Sequence, residues 1–194
     1  METGLRVVLA NNPGPFTLDG TRTYLVGEDR VAVIDPGPLD TDHLERIASA
    51  VSAASQVTLL LTHHHGDHAA GAATLAALVD APVRGYGPGA EPFRDGELVG
   101  TDAGDLLPLD TPGHSRLHYS FHWTRGDALF PGDLVLGKGD TTWVAEYPGC
   151  VSDYLDSLER VQGTGAGRLF PAHGPVIADV NGTIARYRAH RLER

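Results

Sequence analysis

The feature that most restricts the fold of this chain is a short apolar run, Val57–Leu61, that ends in Thr62-His63-His64-His65-Gly66-Asp67-His68. A continuous run of aliphatic residues reads as a strand buried on both faces. Other layers must cover it, and its polar end must emerge at a sheet edge. On extended backbone a period of two sends His63, His65 and Asp67 to one side, and a loop that wraps there can add His68. Imidazole nitrogen and carboxylate oxygen are natural ligands for a borderline divalent ion such as zinc. As a plain polar turn the cluster would gain nothing, because the protonated forms of these groups repel one another.

Three later segments repeat one grammar: a strand, then Pro and a small residue, then one His or Asp. They are Thr111-Pro112-Gly113-His114, Phe130-Pro131-Gly132-Asp133 and Phe170-Pro171-Ala172-His173-Gly174. The small residues let backbone approach a crowded site. A single loop His or Asp would mean little, but three copies beside the His cluster point to one shared site.

The surrounding pattern predicts strands at 23–26, 31–34, 57–61, 82–84, 106–109, 117–122, 128–130 and 169–170. Helices are expected over 42–55, with Asp42 and Glu45 at capping-box spacing, and over 69–79, 152–161 and 180–194. Pro/Gly-rich loops fill the rest. Strands come first, then strand–helix alternation, then strands and helices, which suggests a layered α/β or α+β architecture with mixed sheets. The length, 194 residues, is that of a single domain. The net charge of −10 disfavours a general nucleic-acid-coating role. Cys150 is the one cysteine, so neither an intrachain disulfide nor a Cys-based metal site can form, and it reads as structural. The apolar run Leu5–Ala10 is too short for a signal-peptide core, and no stretch approaches a membrane span. The expectation is a cytoplasmic protein without membrane partners.

The motif His63-x-His65-x-Asp67-His68, followed by His114, Asp133 and His173, resembles the metallo-β-lactamase superfamily. The likeness extends through Asn12-Pro13-Gly14-Pro15-Phe16-Thr17-Leu18, Ile34-Asp35-Pro36-Gly37 and His173-Gly174-Pro175-Val176-Ile177, and looks closest to the lactamase-beta-like subgroup related to an endoribonuclease and to glyoxalase II. That resemblance implies an α+β fold, an αββα sandwich of two mixed sheets between outer helices. It implies two zinc ions per chain, with manganese or iron able to use the same ligands. His63, His65 and His114 would hold the first ion, and Asp67, His68 and His173 the second, with Asp133 bridging. Asp67 and Asp133 are the expected catalytic carboxylates. Asp35 and Thr62 would support the ligand loop without coordinating, and His64 would point away. A hydroxide held between the ions would be the nucleophile.

The expected substrate is a small-molecule thioester, lactone or related acyl compound. The alternatives are a phosphodiesterase acting on single-stranded RNA, low-level promiscuous β-lactam cleavage, and a non-catalytic metal-stabilised binding module. The endoribonuclease group usually carries a winged helix where this chain ends at Arg194, so the expectation is one domain over 1–194 without it. True β-lactamases of the superfamily usually lack an Asp at the bridging position, so Asp133 argues against a dedicated antibiotic-degrading role. Lys138, the only lysine, and Thr141 are expected to contact substrate. His43 and His190 read as helix-surface residues, and His118 and His122 as core or sheet-face residues. Substrate choice is expected to lie in loops 82–100 and 137–149.

Overall fold

The computed structural model describes residues 3–94 and 96–193. Five strands, β1 (Leu5–Leu9), β2 (Arg22–Val26), β3 (Arg30–Ile34), β4 (Gln56–Leu61) and β5 (Val83–Gly85), form one sheet in sequence order. β1, β2 and β3 run antiparallel, and β3, β4 and β5 run parallel. The second sheet contains β6 (Leu106–Asp110), β7 (Tyr119–Trp123), β8 (Ala128–Phe130) and β9 (Arg168–Leu169). Its first three strands alternate in direction, and β8 and β9 are parallel. Both sheets are mixed, as expected.

Side-chain alternation explains how they stack. Tyr24, Val26, Ala32, Ile34 and Leu60 face inward and meet Leu106, Phe121, Trp123 and Phe130 of the other sheet. Their neighbours Leu25, Val31, Val33 and Leu59 face outward, onto Leu44, Ile47 and Val51 of α1 (Thr41–Ala50) and its flank and Leu75 of α3 (Ala72–Val79). Leu129 and Leu169 face the other way, onto Tyr154, Leu158 and Val161 of α4 (Cys150–Gly163) and Ile184 and Tyr187 of α5 (Val180–Leu192). The layers are helix, sheet, sheet, helix. No helix among the described residues is long and apolar enough to cross a membrane.

Several boundaries differ from the sequence reading. β1 is an addition: Leu5–Leu9 pairs with β2 over five residue pairs. Only Leu5 of it is buried, as suits an edge strand, so a search for buried apolar runs overlooks it. The cap of α1 is Asp40, which accepts from Asp42 N and His43 N, rather than Asp42. The single helix expected over 69–79 is two, α2 (Gly66–Ala69) and α3, with Gly71 at the break. A Cβ there would come 2.7 Å from Leu44 Cδ2 and 2.9 Å from Pro38 O. The terminal helix is described to Leu192, and the expected end, Arg194, lies outside the described residues.

The pairing directions place the site. β3 and β4 are parallel, so their C-terminal ends share one edge. β6 and β8 both oppose β7, and β9 parallels β8, so these three ends also share an edge. Asp35 follows β3, His63–His68 follow β4, His114 follows β6, Asp133 follows β8 and His173 follows β9. One rim of the sandwich therefore collects them all.

Candidate metal centre

The first donor set is His63, His65 and His114. His65 Nδ1 lies 2.9 Å from His63 Nε2 and 3.1 Å from His114 Nε2. The second set is Asp67, His68, Asp133 and His173. His173 Nε2 is 3.2 Å from Asp67 Oδ2 and 3.3 Å from Asp133 Oδ1, and His68 Nε2 is 3.5 Å from Asp133 Oδ1. The other oxygen of Asp133 faces the first set, 3.7 Å from His114 Nε2. Asp133 thus stands between the two sets. The structure brings together all seven residues named from sequence.

The local backbone explains the aim of each ring. β4 leaves the sheet at Leu61, and His65 then caps α2 in extended conformation, with Asp67 and His68 in its first turn. Every imidazole that points Nε2 inward has its Nδ1 near a partner outside. His68 Nδ1 donates to Asp35 Oδ2 at 2.8 Å. His63 Nδ1 is 3.0 Å from Thr62 Oγ1, which itself donates to Asp35 Oδ2 at 2.8 Å. His114 Nδ1 is 2.8 Å from Trp143 O, and His173 Nδ1 is 3.3 Å from Gly20 O. Such outer contacts fix ring orientation and choose the tautomer. Asp35 and Thr62 thus stand directly behind the His63 and His68 rings.

Charge and burial agree with a cation-binding role. Burial, reinforced by neighbouring imidazoles, holds His63 well below the ordinary histidine range, and burial likewise lowers His65 and His114. Their lone pairs are then free. Burial alone would raise the Asp133 carboxyl, but His68 and His173 beside it hold it well below the usual range. His68 is pulled down by burial and raised by Asp133 and Asp35, which prevail. His68 Nε2, His173 Nε2 and Asp133 Oδ1 are buried with no hydrogen-bond partner. Orphaned buried polar atoms of this kind call for an ion or another partner, and this N/O donor set suits zinc, manganese or iron.

A cleft of about 810 Å³ opens over the donors. His65, Asp67, His114 and Asp133 form its floor, and Pro15, Phe16 and Leu136 line it with Thr141, Thr142 and Trp143. Phe16 and Trp143 are exposed to 77% and 61%. Thr141 therefore lies where sequence reasoning puts it, although its hydroxyl is engaged with Thr142 O and Arg191. Lys138 does not line this cleft. It is exposed in a separate depression beside Leu18, Asp19, Gly174 and Pro175, because Gly137, packed against Pro175, turns the chain away.

Two histidines depart from the sequence reading. His190, expected on a helix surface, lines the cleft, 3.6 Å from Asp140. His43, also expected outside, is buried, with Nε2 3.0 Å from Thr23 Oγ1, and Thr23 donates to Asp35 O at 2.7 Å. It braces the Asp35 turn from behind. The apolar stripe on α1 includes position 43 at spacing i, i+4 from Ile47, the one signal that could have revealed this. His118 is buried beside His63, with Nδ1 2.9 Å from Thr111 Oγ1, and is in neither donor set.

A family model described as the metallo-beta-lactamase superfamily matches residues 16–108 and 88–173. The beta-lactamase-like protein 2 homolog of Caenorhabditis elegans is 34% identical over 202 residues, covering 96% of this chain and 67% of that protein. The atrochrysone carboxyl ACP thioesterase of Aspergillus chevalieri is 38% identical over 200 residues, covering 96% of this chain and 62% of that one. A metallo-beta-lactamase family protein from Thermus thermophilus superposes with a TM-score of 0.82 at 24% identity, covering 99% of this chain and 80% of that one. The chain thus spans 62–67% of the length of these two curated relatives.

Proposed function

The chain belongs to the metallo-β-lactamase superfamily, and from that premise we propose that it is a dinuclear-metal hydrolase of a thioester with an apolar acyl group. The observation that carries this reading is the composition of the cleft. Its floor is the donor cluster and its walls are Pro15, Phe16, Leu136 and Trp143, with no Lys or Arg among the described lining residues. A phosphodiester backbone needs cationic side chains along its path, and the described lining residues supply no Lys or Arg for it. An uncharged acyl chain needs apolar surface, and this cleft has it. The thioesterase name of the Aspergillus relative supports the same choice.

His63, His65 and His114 would hold one ion, and Asp67, His68 and His173 the other, with Asp133 shared. Zinc is our first choice, and two such ions would supply a nucleophilic hydroxide at neutral pH and polarise the acyl oxygen. Asp67 and Asp133 are the carboxylates that touch the reacting centre, offsetting its positive charge. Asp35 and Thr62 keep His63 and His68 in the tautomers that ligate. Phe16 and Trp143 receive the acyl chain and shed water from it. Thr141 lines the wall as a contact, and Lys138 would meet only a substrate long enough to leave the cleft.

The test pairs metal content with turnover of a series of acyl thioesters and of a labelled single-stranded RNA, using wild type and Asp133→Ala. We expect thioester hydrolysis that improves with acyl size and is lost in Asp133→Ala. Asp133-dependent RNA cleavage without thioester turnover would overturn the reading.

A further inference from the structure

A third set of metal-type donors lies behind His65, on the side away from the other two. Glu146 Oε1 is 3.6 Å from His64 Nε2 and 3.8 Å from His65 Nε2, and the three donor atoms lie within 4.8 Å of one another. These separations are too long for hydrogen bonds. Both distances to Glu146 fall below the roughly 4.4 Å that two donors at about 2.0–2.2 Å from one zinc can span.

The set is also held in place. Glu146 Oε2 accepts a 2.8 Å bond from Arg116 N, which fixes the carboxylate and leaves Oε1 turned to the two imidazoles. His64 Nδ1 lies 3.4 Å from Ser115 Oγ, so Nε2 is aimed the other way. His64, Ser115, Arg116, Glu146 and Tyr147 line a depression of about 270 Å³, distinct from the cleft. None of this is needed by the two donor sets already described.

We infer that His64, His65 and Glu146 form a third, weaker divalent-metal site that fills with zinc when the metal is in excess. His65 is shared, because its Nδ1 already faces His63 and His114. Coordination at Nε2 releases that nitrogen's proton to water and places one imidazole between two ions. The ring, having lost its proton, would give the inner ion more electron density than a neutral imidazole and so blunt its power to polarise an acyl oxygen. Excess zinc therefore inhibits. The inhibitory role rests on the hydrolase reading, whereas the site itself does not.

The experiment is a zinc titration of wild type, His64→Ala and Glu146→Gln, read by metal content after equilibrium dialysis and by cobalt absorption in parallel. Wild type should take two equivalents tightly and a third at higher zinc. In both variants the third should weaken at least about tenfold while the first two persist. Thioester turnover of wild type should fall as the third equivalent binds, and that of His64→Ala should not. A wild type that stops at two equivalents overturns the site. So does Glu146→Gln losing an inner ion while His64→Ala changes nothing, for then Glu146 only orients His65. A third equivalent bound with undiminished turnover overturns the inhibitory role. Three ions bound without turnover of any thioester counts against the hydrolase reading and supports the site.

Discussion

Asp35 belongs to neither donor set, yet its replacement should strip an ion from the centre. Its buried carboxylate accepts three bonds of 2.8 Å, from Thr62 N, Thr62 Oγ1 and His68 Nδ1. In Asp35→Ala the Thr62 hydroxyl can turn to His63 Nδ1, 3.0 Å away, but Thr62 N and His68 Nδ1 are orphaned. Each buried orphan costs about 1–3 kcal/mol. Asp35 also has a φ of 52°, where alanine loses roughly 1–2 kcal/mol. Together these come to about 3–8 kcal/mol, much of a typical stability.

Asp35→Asn is the sharper test. Asparagine tolerates the left-handed backbone and can still accept from Thr62 N. Its amide NH₂, however, confronts His68 Nδ1. To accept there, His68 must carry its proton on Nε2, the atom that faces Asp67 and Asp133, and that nitrogen then has no lone pair for an ion. We expect Asp35→Asn to remain within about 2 kcal/mol of wild type while the second ion's affinity falls roughly 10–100-fold. Urea unfolding of the metal-free proteins gives the first quantity, and zinc content after dialysis against graded zinc gives the second. An Asp35→Asn protein that keeps both ions at wild-type affinity would refute the tautomer argument.

Trp143→Ala and Phe16→Ala should raise KM for bulky acyl thioesters about 10–100-fold, the equivalent of burying one large apolar side chain, with kcat and metal content unchanged. A fall in kcat instead would mean that the aromatic rings shape the donor cluster. Burial pushes His43 down to about 4, so the unfolded chain, at about 6.5, binds the proton more tightly. Stability should then fall as pH drops from about 6.5 to about 4 and level off below, by about 3 kcal/mol in all. His43→Gln should lack that part of the decline in denaturation midpoints at pH 7 and pH 4.5. Phe121→Ala, at the fully buried meeting of the two sheets, should lose about 3–5 kcal/mol by urea unfolding and leave the metal stoichiometry intact.

The cluster was legible because chemistry as particular as His63-x-His65-x-Asp67-His68 has few other uses, and because each later member follows a strand and a proline. The sandwich was legible because apolar alternation marks which faces are buried. What stayed hidden depends on packing across long stretches of chain. His43 is buried because Thr23, twenty residues earlier, meets its ring. His190 reaches the cleft because α5 lies along the wall, where Tyr187 bonds Leu136 and Arg191 bonds Thr141 and Thr142. Lys138 is close to Asp133 in sequence, which draws it toward the site on paper, and a glycine turn takes it elsewhere. Glu146 joins His64 and His65 across some eighty residues, which no local spacing encodes.

The rim where the strands end has a mechanical consequence. One half of the sandwich contributes His63, His65, Asp67 and His68, and the other His114, Asp133 and His173. Ions seated there would be rivets joining two leaves that elsewhere meet mainly through apolar side chains. Chelation should therefore let the leaves part from that edge first, with amides at the ends of β4 and β8 exchanging faster in concert. The opposite edge, where Asp102 Oδ1 on the loop before β6 accepts from Glu28 N and Arg30 N of the other leaf at 3.0 Å each, should remain shut like the spine of a book.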